Sequence, residues 1–182
     1  MERARQLVGE MLLYCFVVVL LTGGFLAFYY TPSGDMVSYD GGYTPLRGVP
    51  MSPAYEYVLR ISFDVRGGLL IRQLHHSSLA LFVLGTVVWA MLGHFRYRPA
   101  LLSLGLTLLS GLAGYGSADD LLSGTILGKA PIVVWYGLHL LTAFALAATL
   151  VISSRREAAR HPRTPAFVAL SLGLTALIFL WP

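Results

Sequence analysis

GLLIRQLHHSSLALFVLGTVVWAMLGH, residues 68–94, decides the fold: 27 residues carry a single fixed charge, Arg72. About 20 apolar residues suffice to cross a bilayer as a helix, so this run reads as a transmembrane span. Three more apolar runs flank it, at Leu7–Tyr30, Ala100–Tyr115 and Pro131–Ser153, and a shorter one follows at Ala166–Trp181. Over the whole 182-residue chain, 56% of residues are hydrophobic and 12% charged, with a mean hydropathy of +0.69. Soluble domains hold about 25% charged residues, so a soluble globular protein is excluded. The expected fold class is all-α: an integral membrane bundle of four transmembrane helices plus a fifth.

The connections order these spans. The first run is too long, and too free of a small-residue cleavage pattern, for a removable signal peptide. Residues 31–67 form a loop segment rich in Gly, Pro, Tyr and Asp, ending in an amphipathic stretch from Pro53 to Val65 that is expected to lie on the surface and not to span. Arg96–Tyr97–Arg98–Pro99 makes a tight turn that sets the second and third spans antiparallel. Residues 154–165 read as a soluble basic loop. The expected organisation is therefore one bundle over residues 1–153, with the basic loop and the added helix over 154–182.

Arginine and lysine counts give an orientation. The N-terminus, the turn at 96–98 and the loop at 154–165 hold eight cationic residues, against five on the opposite side (Arg47, Arg60, Arg66, Arg72 and Lys129). The first side, with the N-terminus, is expected to be cytoplasmic. The net charge of +4 thus reports topology, and no basic and aromatic platform points to nucleic acid. The lone cysteine, Cys15, excludes an intramolecular disulfide, a Cys-x-x-Cys-His haem attachment and a four-cysteine iron–sulfur cluster.

Polar side chains inside spans are costly and mark functional candidates. Of five histidines, His161 lies in the basic loop and His94 at a span end, leaving His75, His76 and His139. His75 and His139 each fall seven or eight residues into their spans, roughly 11 Å deep at helical rise. The two spans run in the same direction, so the imidazoles can meet across a bundle interior. Two readings stay open: axial ligation of a haem iron by both rings, or hydrogen bonding of each ring to a neighbouring helix. His76 points about 100° away from His75 and is a neighbour of the pair.

Several stretches carry a family pattern. Thr22-Gly23-Gly24-Phe25-Leu26-Ala27-Phe28-Tyr29-Tyr30-Thr31-Pro32 resembles the end of the first helix in the N-terminal half of respiratory and photosynthetic cytochrome b. Asp64-Val65, Gly68, Leu70-Ile71-Arg72 and His75 reproduce its D-V-x-x-G-x-L-I-R-x-x-H signature. Gly114-Tyr115 and Tyr136-x-x-His139 resemble its third and fourth helices, so the resemblance covers roughly residues 7–153. It implies one outer-side haem b held by His75 and His139, with Gly23 and Gly114 leaving room for the macrocycle. It also implies that Arg72 neutralises a propionate, although a snorkelling arginine is the alternative. Gly9 fits either the family's second glycine or ordinary helix packing.

The departures are equally specific. The family's inner haem takes histidines fourteen residues after each outer ligand, and those positions here are Trp89 and Ser153. A second haem and family-style quinol bifurcation are therefore not expected. The proline–tryptophan pair that follows Gly-Tyr in the family is replaced by Ala118 and Asp119, and Leu7 stands where photosynthetic relatives place a haem-linking cysteine. The resemblance implies an electron-transfer subunit of a membrane redox complex, not a complete enzyme, working between quinol or quinone and an outer-side carrier, in contact with other subunits and lipid. Asp119, Asp120 and Tyr115 are candidates for receiving a quinol proton. A haem-free structural or assembly subunit is the alternative. A transporter, which would show inverted repeats and several intramembrane charges, is disfavoured because Glu10 is the only acid within a span.

Overall fold

The computed structural model describes residues 1–118 and 127–180. Six α-helices follow in order: α1 (Glu2–Tyr29), α2 (Pro53–Phe63), α3 (Gly68–Leu92), α4 (Arg98–Ser117), α5 (Ile132–Arg160) and α6 (Pro165–Leu180). Two strands, β1 (Val37–Ser38) and β2 (Pro50–Met51), lie between α1 and α2. Helices α1, α3, α4 and α5 are 28, 25, 20 and 29 residues long and apolar enough to cross a membrane. Even the shortest of them reaches about 30 Å, the thickness of the hydrocarbon layer. Helix α6 is apolar but has only 16 residues. The all-α class and the fifth, shorter helix agree with the sequence.

The chain packs as two compact units, one of residues 1–19, 78–108 and 143–182, the other of residues 20–77 and 109–142. In the first unit, Leu12, Cys15 and Phe16 of α1 meet Phe82 and Trp89 of α3 and Leu146 and Leu150 of α5. Phe16 and Phe82 meet edge to face, 6.1 Å between centroids. Gly85 lets Leu12 close in: a Cβ there would sit 2.8 Å from Leu12 Cδ2.

Two buried carboxylates in this unit are paired with arginines. Glu10, 2% exposed, accepts from Arg163 Nη2 at 2.8 Å and from Ser154 Oγ at 2.9 Å. Arg5 donates to Glu157 Oε1 at 2.8 Å and lies 4.5 Å from the Tyr97 ring centroid. These contacts revise the expected loop at 154–165, because α5 continues to Arg160. Ser153, Ser154 and Glu157 recur at helical spacing on a buried face, while Arg155, Arg156 and Arg160 point outward. The segment is amphipathic, and its inward polar groups have partners on α1 and near α6, so the helix persists beyond the apolar run.

In the second unit, β1 and β2 pair antiparallel with Val37 opposite Met51. They close over a small cluster of Tyr39, Met51 and Leu59. Ser52 caps α2 by accepting the Tyr55 N–H at 3.2 Å, and Pro53 takes the first helical position, where no N–H is needed. Ala54, Val58, Leu59 and Ile61 form the buried stripe of α2, the amphipathic helix the sequence implied. Asp64 closes its C-terminus and accepts the Gly42 N–H at 2.8 Å.

Arg163→Met leaves the Glu10 carboxylate buried without its cation. Unfolding in detergent micelles should show a loss of about 3–5 kcal/mol, because an uncompensated buried charge costs that much. Adding Glu10→Gln should recover most of it.

Candidate functional site

The second unit brings together the two histidines that depth matching singled out. His75 of α3 and His139 of α5 face each other with ring centroids 6.1 Å apart and planes at 72°. Each ring is oriented by a different helix. His75 Nδ1 lies 3.1 Å from Thr22 Oγ1 of α1, and His139 Nδ1 lies 2.8 Å from the Ser110 carbonyl of α4. A carbonyl only accepts, so His139 Nδ1 carries the proton. Ser110 Oγ adds a contact at 3.2 Å. Sequence reasoning missed Thr22 and Ser110. The available signal was a hydroxyl beside, or one turn before, each helix glycine.

Gly23 and Gly114 stand against these rings. A Cβ at Gly23 would lie 2.8 Å from His75 Cε1, and one at Gly114 would lie 3.2 Å from His139 Cε1. The missing side chains therefore admit the imidazoles themselves. His76 turns away from the pair, as its 100° offset requires, and its ring meets Tyr115 edge-on at 4.8 Å. Arg72 borders an open cleft of 260 Å³ with Gln73, His76 and Ser77.

Beyond the histidines lies a tyrosine cluster. The Tyr30 ring is 5.2 Å from Tyr57 and 4.8 Å from Tyr136, and its hydroxyl donates to the Ser117 carbonyl. The Tyr57 hydroxyl on α2 is buried without a hydrogen-bond partner, and burial raises its pKa well above the ordinary phenol range. Asp119 and Asp120, the candidate proton acceptors, lie outside the described residues.

Trp89 and Ser153, the departures at the family's inner-ligand positions, both belong to the first unit. Trp89 is 1% exposed and stands 5.4 Å from Tyr97, whose hydroxyl meets Ser153 Oγ at 2.6 Å. A Cβ at Gly9 would come within 3.0 Å of Trp89 Cζ2, so Gly9 makes room for an indole. His161 is bonded as well as solvated, its Nε2 lying 3.0 Å from Glu2 Oε2.

The expected haem b is corrected by this geometry. Among the described residues no group of three or more His, Cys, Asp or Glu side chains is placed to hold a metal ion. Cys15 is a buried free thiol. Each imidazole is bonded through Nδ1 to a neighbouring helix, as in the second reading left open by the sequence, and the rings stand against Gly23 and Gly114. The picture of a one-haem electron carrier between quinol and an outer-side partner falls with the haem, and the haem-free alternative fits better.

No family model matches the chain. It is similar to cytochrome b subunits of cytochrome bc1 complexes. The protein from Streptomyces coelicolor is 45% identical over 130 residues, covering 65% of this chain and 24% of its own length. That of Corynebacterium diphtheriae is 41% identical over 155 residues, covering 80% of this chain and 27% of its own length. That of Mycobacterium tuberculosis is 46% identical over 129 residues, covering 65% and 23%. The chain thus spans about a quarter of the length of the curated relatives it matches.

The two ring-facing glycines should differ in tolerance. Gly23→Ala forces a rigid imidazole to shift and should cost about 1–3 kcal/mol, the usual range for overpacking. Gly114→Ala, with more clearance, should cost less. Thermal unfolding of the two variants in the same detergent ranks them.

Proposed function

Taking the chain as a divergent cytochrome b-like membrane domain, we propose that it serves as a haem-free structural or assembly subunit within a cytochrome bc1-type membrane complex. The observation that carries this reading is the use of the interior. The glycine niches at Gly9, Gly23 and Gly114 are taken up by the chain's own Trp89, His75 and His139 rings. An interior filled in this way holds helices in register, which is what a scaffold requires.

Its partners would be the other subunits of such a complex, which bring the redox groups and the contacts with the quinone pool and the outer carrier. The chain would contribute helical surface and position without a catalytic group of its own. The chain would sit in an inner or energy-transducing membrane, as its cytochrome b-like character implies, and the eight-to-five cationic bias supports placing the N-terminus and the arginine-rich connections on the cytoplasmic side. His75 and His139 would then be positioning residues that tie α1, α3, α4 and α5 together.

The test is a pyridine haemochrome spectrum of the full chain, gently extracted from its membrane and set against protein mass. The expected ratio is near zero haem per chain, and a ratio near one overturns the reading. Deleting the chain should also lower the yield of the assembled complex, as measured by native gel of solubilised membranes.

A further inference from the structure

Five of the twelve arginines are tied down. Arg3, Arg5, Arg47, Arg60 and Arg163 each donate to a carboxylate, carbonyl or amide oxygen. Of the others in the first unit, Arg160 lies in the field of Glu2, and four have no such partner. Arg96, Arg98, Arg155 and Arg156 are exposed and have no hydrogen bond or ion pair among the described residues. They share one place in that unit. Arg96 and Arg98 flank Tyr97, whose hydroxyl is bonded to Ser153 at 2.6 Å, and Arg155 and Arg156 follow Ser153 by two and three residues. The only acid in these two segments, Glu157, is 3% exposed and already paired with Arg5, so it neutralises none of the four.

We propose that this end of the first unit, the α3–α4 turn with the last turns of α5, binds the anionic headgroups of phospholipids. The four guanidiniums adjoin the ends of three membrane-length helices, the level at which headgroup phosphates lie. Arg forks suit phosphate oxygens in pairs. An exposed aromatic residue directly precedes Arg96. Phe95 is 57% exposed beside Arg96, held there by a turn in which His94 and Phe95 both adopt positive φ, 50° and 54°. Two consecutive non-glycine residues in the left-handed region are uncommon. Here they turn an amphipathic edge of the chain outward, where an interfacial ring belongs. An acidic protein surface would be drawn by the charge, whereas an exposed ring next to Arg96 matches the junction of headgroup and acyl chain. This inference does not depend on the scaffold reading.

The full chain is reconstituted in vesicles of equal phosphatidylcholine and phosphatidylglycerol and extracted in mild detergent, and the retained lipid is quantified. Each arginine at the surface contributes about fivefold, so phosphatidylglycerol should be retained at least about tenfold over phosphatidylcholine. The combined variant Arg96→Gln, Arg98→Gln, Arg155→Gln and Arg156→Gln should bring retention near parity. The same four changed to Lys should keep most of the preference, and Arg66→Gln, in the other unit, should leave it intact. Raising salt to roughly 0.5 M before extraction should collapse the preference of the unaltered chain, a result that does not depend on any variant folding. Parity in the unaltered chain, a preference that survives the Gln changes or high salt, or an equal loss in Arg66→Gln overturns the proposal.

Discussion

A polar side chain on a membrane-length helix has no water to turn to, so it must be satisfied by its own helix or a neighbouring one. Small hydroxyls take the first route. Thr86, Thr142 and Thr149 each donate to the carbonyl four residues earlier, at 2.7–2.8 Å, and Ser171 and Thr175 do the same on the shorter α6. Larger groups cannot fold back in this way. His75, His139 and Glu10 reach partners distant in sequence, and each thereby fixes the rotation of one helix against another.

Close approach is the second consequence of the same constraint. Lipid offers little hydrophobic drive for helix association, so packing contacts must be tight. The chain achieves this by setting glycines against flat rings: Gly9 against Trp89, Gly23 against His75, Gly114 against His139 and Gly116 against Trp135. The arrangement leaves a few polar atoms without partners, among them Trp89 Nε1, Ser103 Oγ and Thr107 Oγ1. An orphaned buried donor costs about 1–3 kcal/mol, a burden the surrounding packing offsets.

Composition and run length make the four long helices legible in sequence, because a span is a local property. The pairing of His75 with His139 was legible too, since depth along a helix is a matter of counting residues. What the rings do there was not. A bis-imidazole ligand pair and two rings bonded to neighbouring helices share the same spacing, and only the tertiary structure shows Thr22 and Ser110 meeting the two Nδ1 atoms and Gly23 and Gly114 standing against the rings. The persistence of α5 through Arg160 was hidden for a similar reason: Ser154 and Glu157 look like loop residues until Arg163 and Arg5 are seen against the same face of the helix.

The sequence by itself determined the all-α class, the number and order of membrane-length helices, the amphipathic α2 and the absence of histidine at residues 89 and 153, because each is set by residue identity and spacing along one chain. Tertiary structure alone decided which rings fill the glycine niches, which arginines are paired and which are left exposed, and that the two histidines are held by α1 and α4. These depend on the rotation and tilt of one helix against another, and such relations arise from packing between residues far apart in sequence.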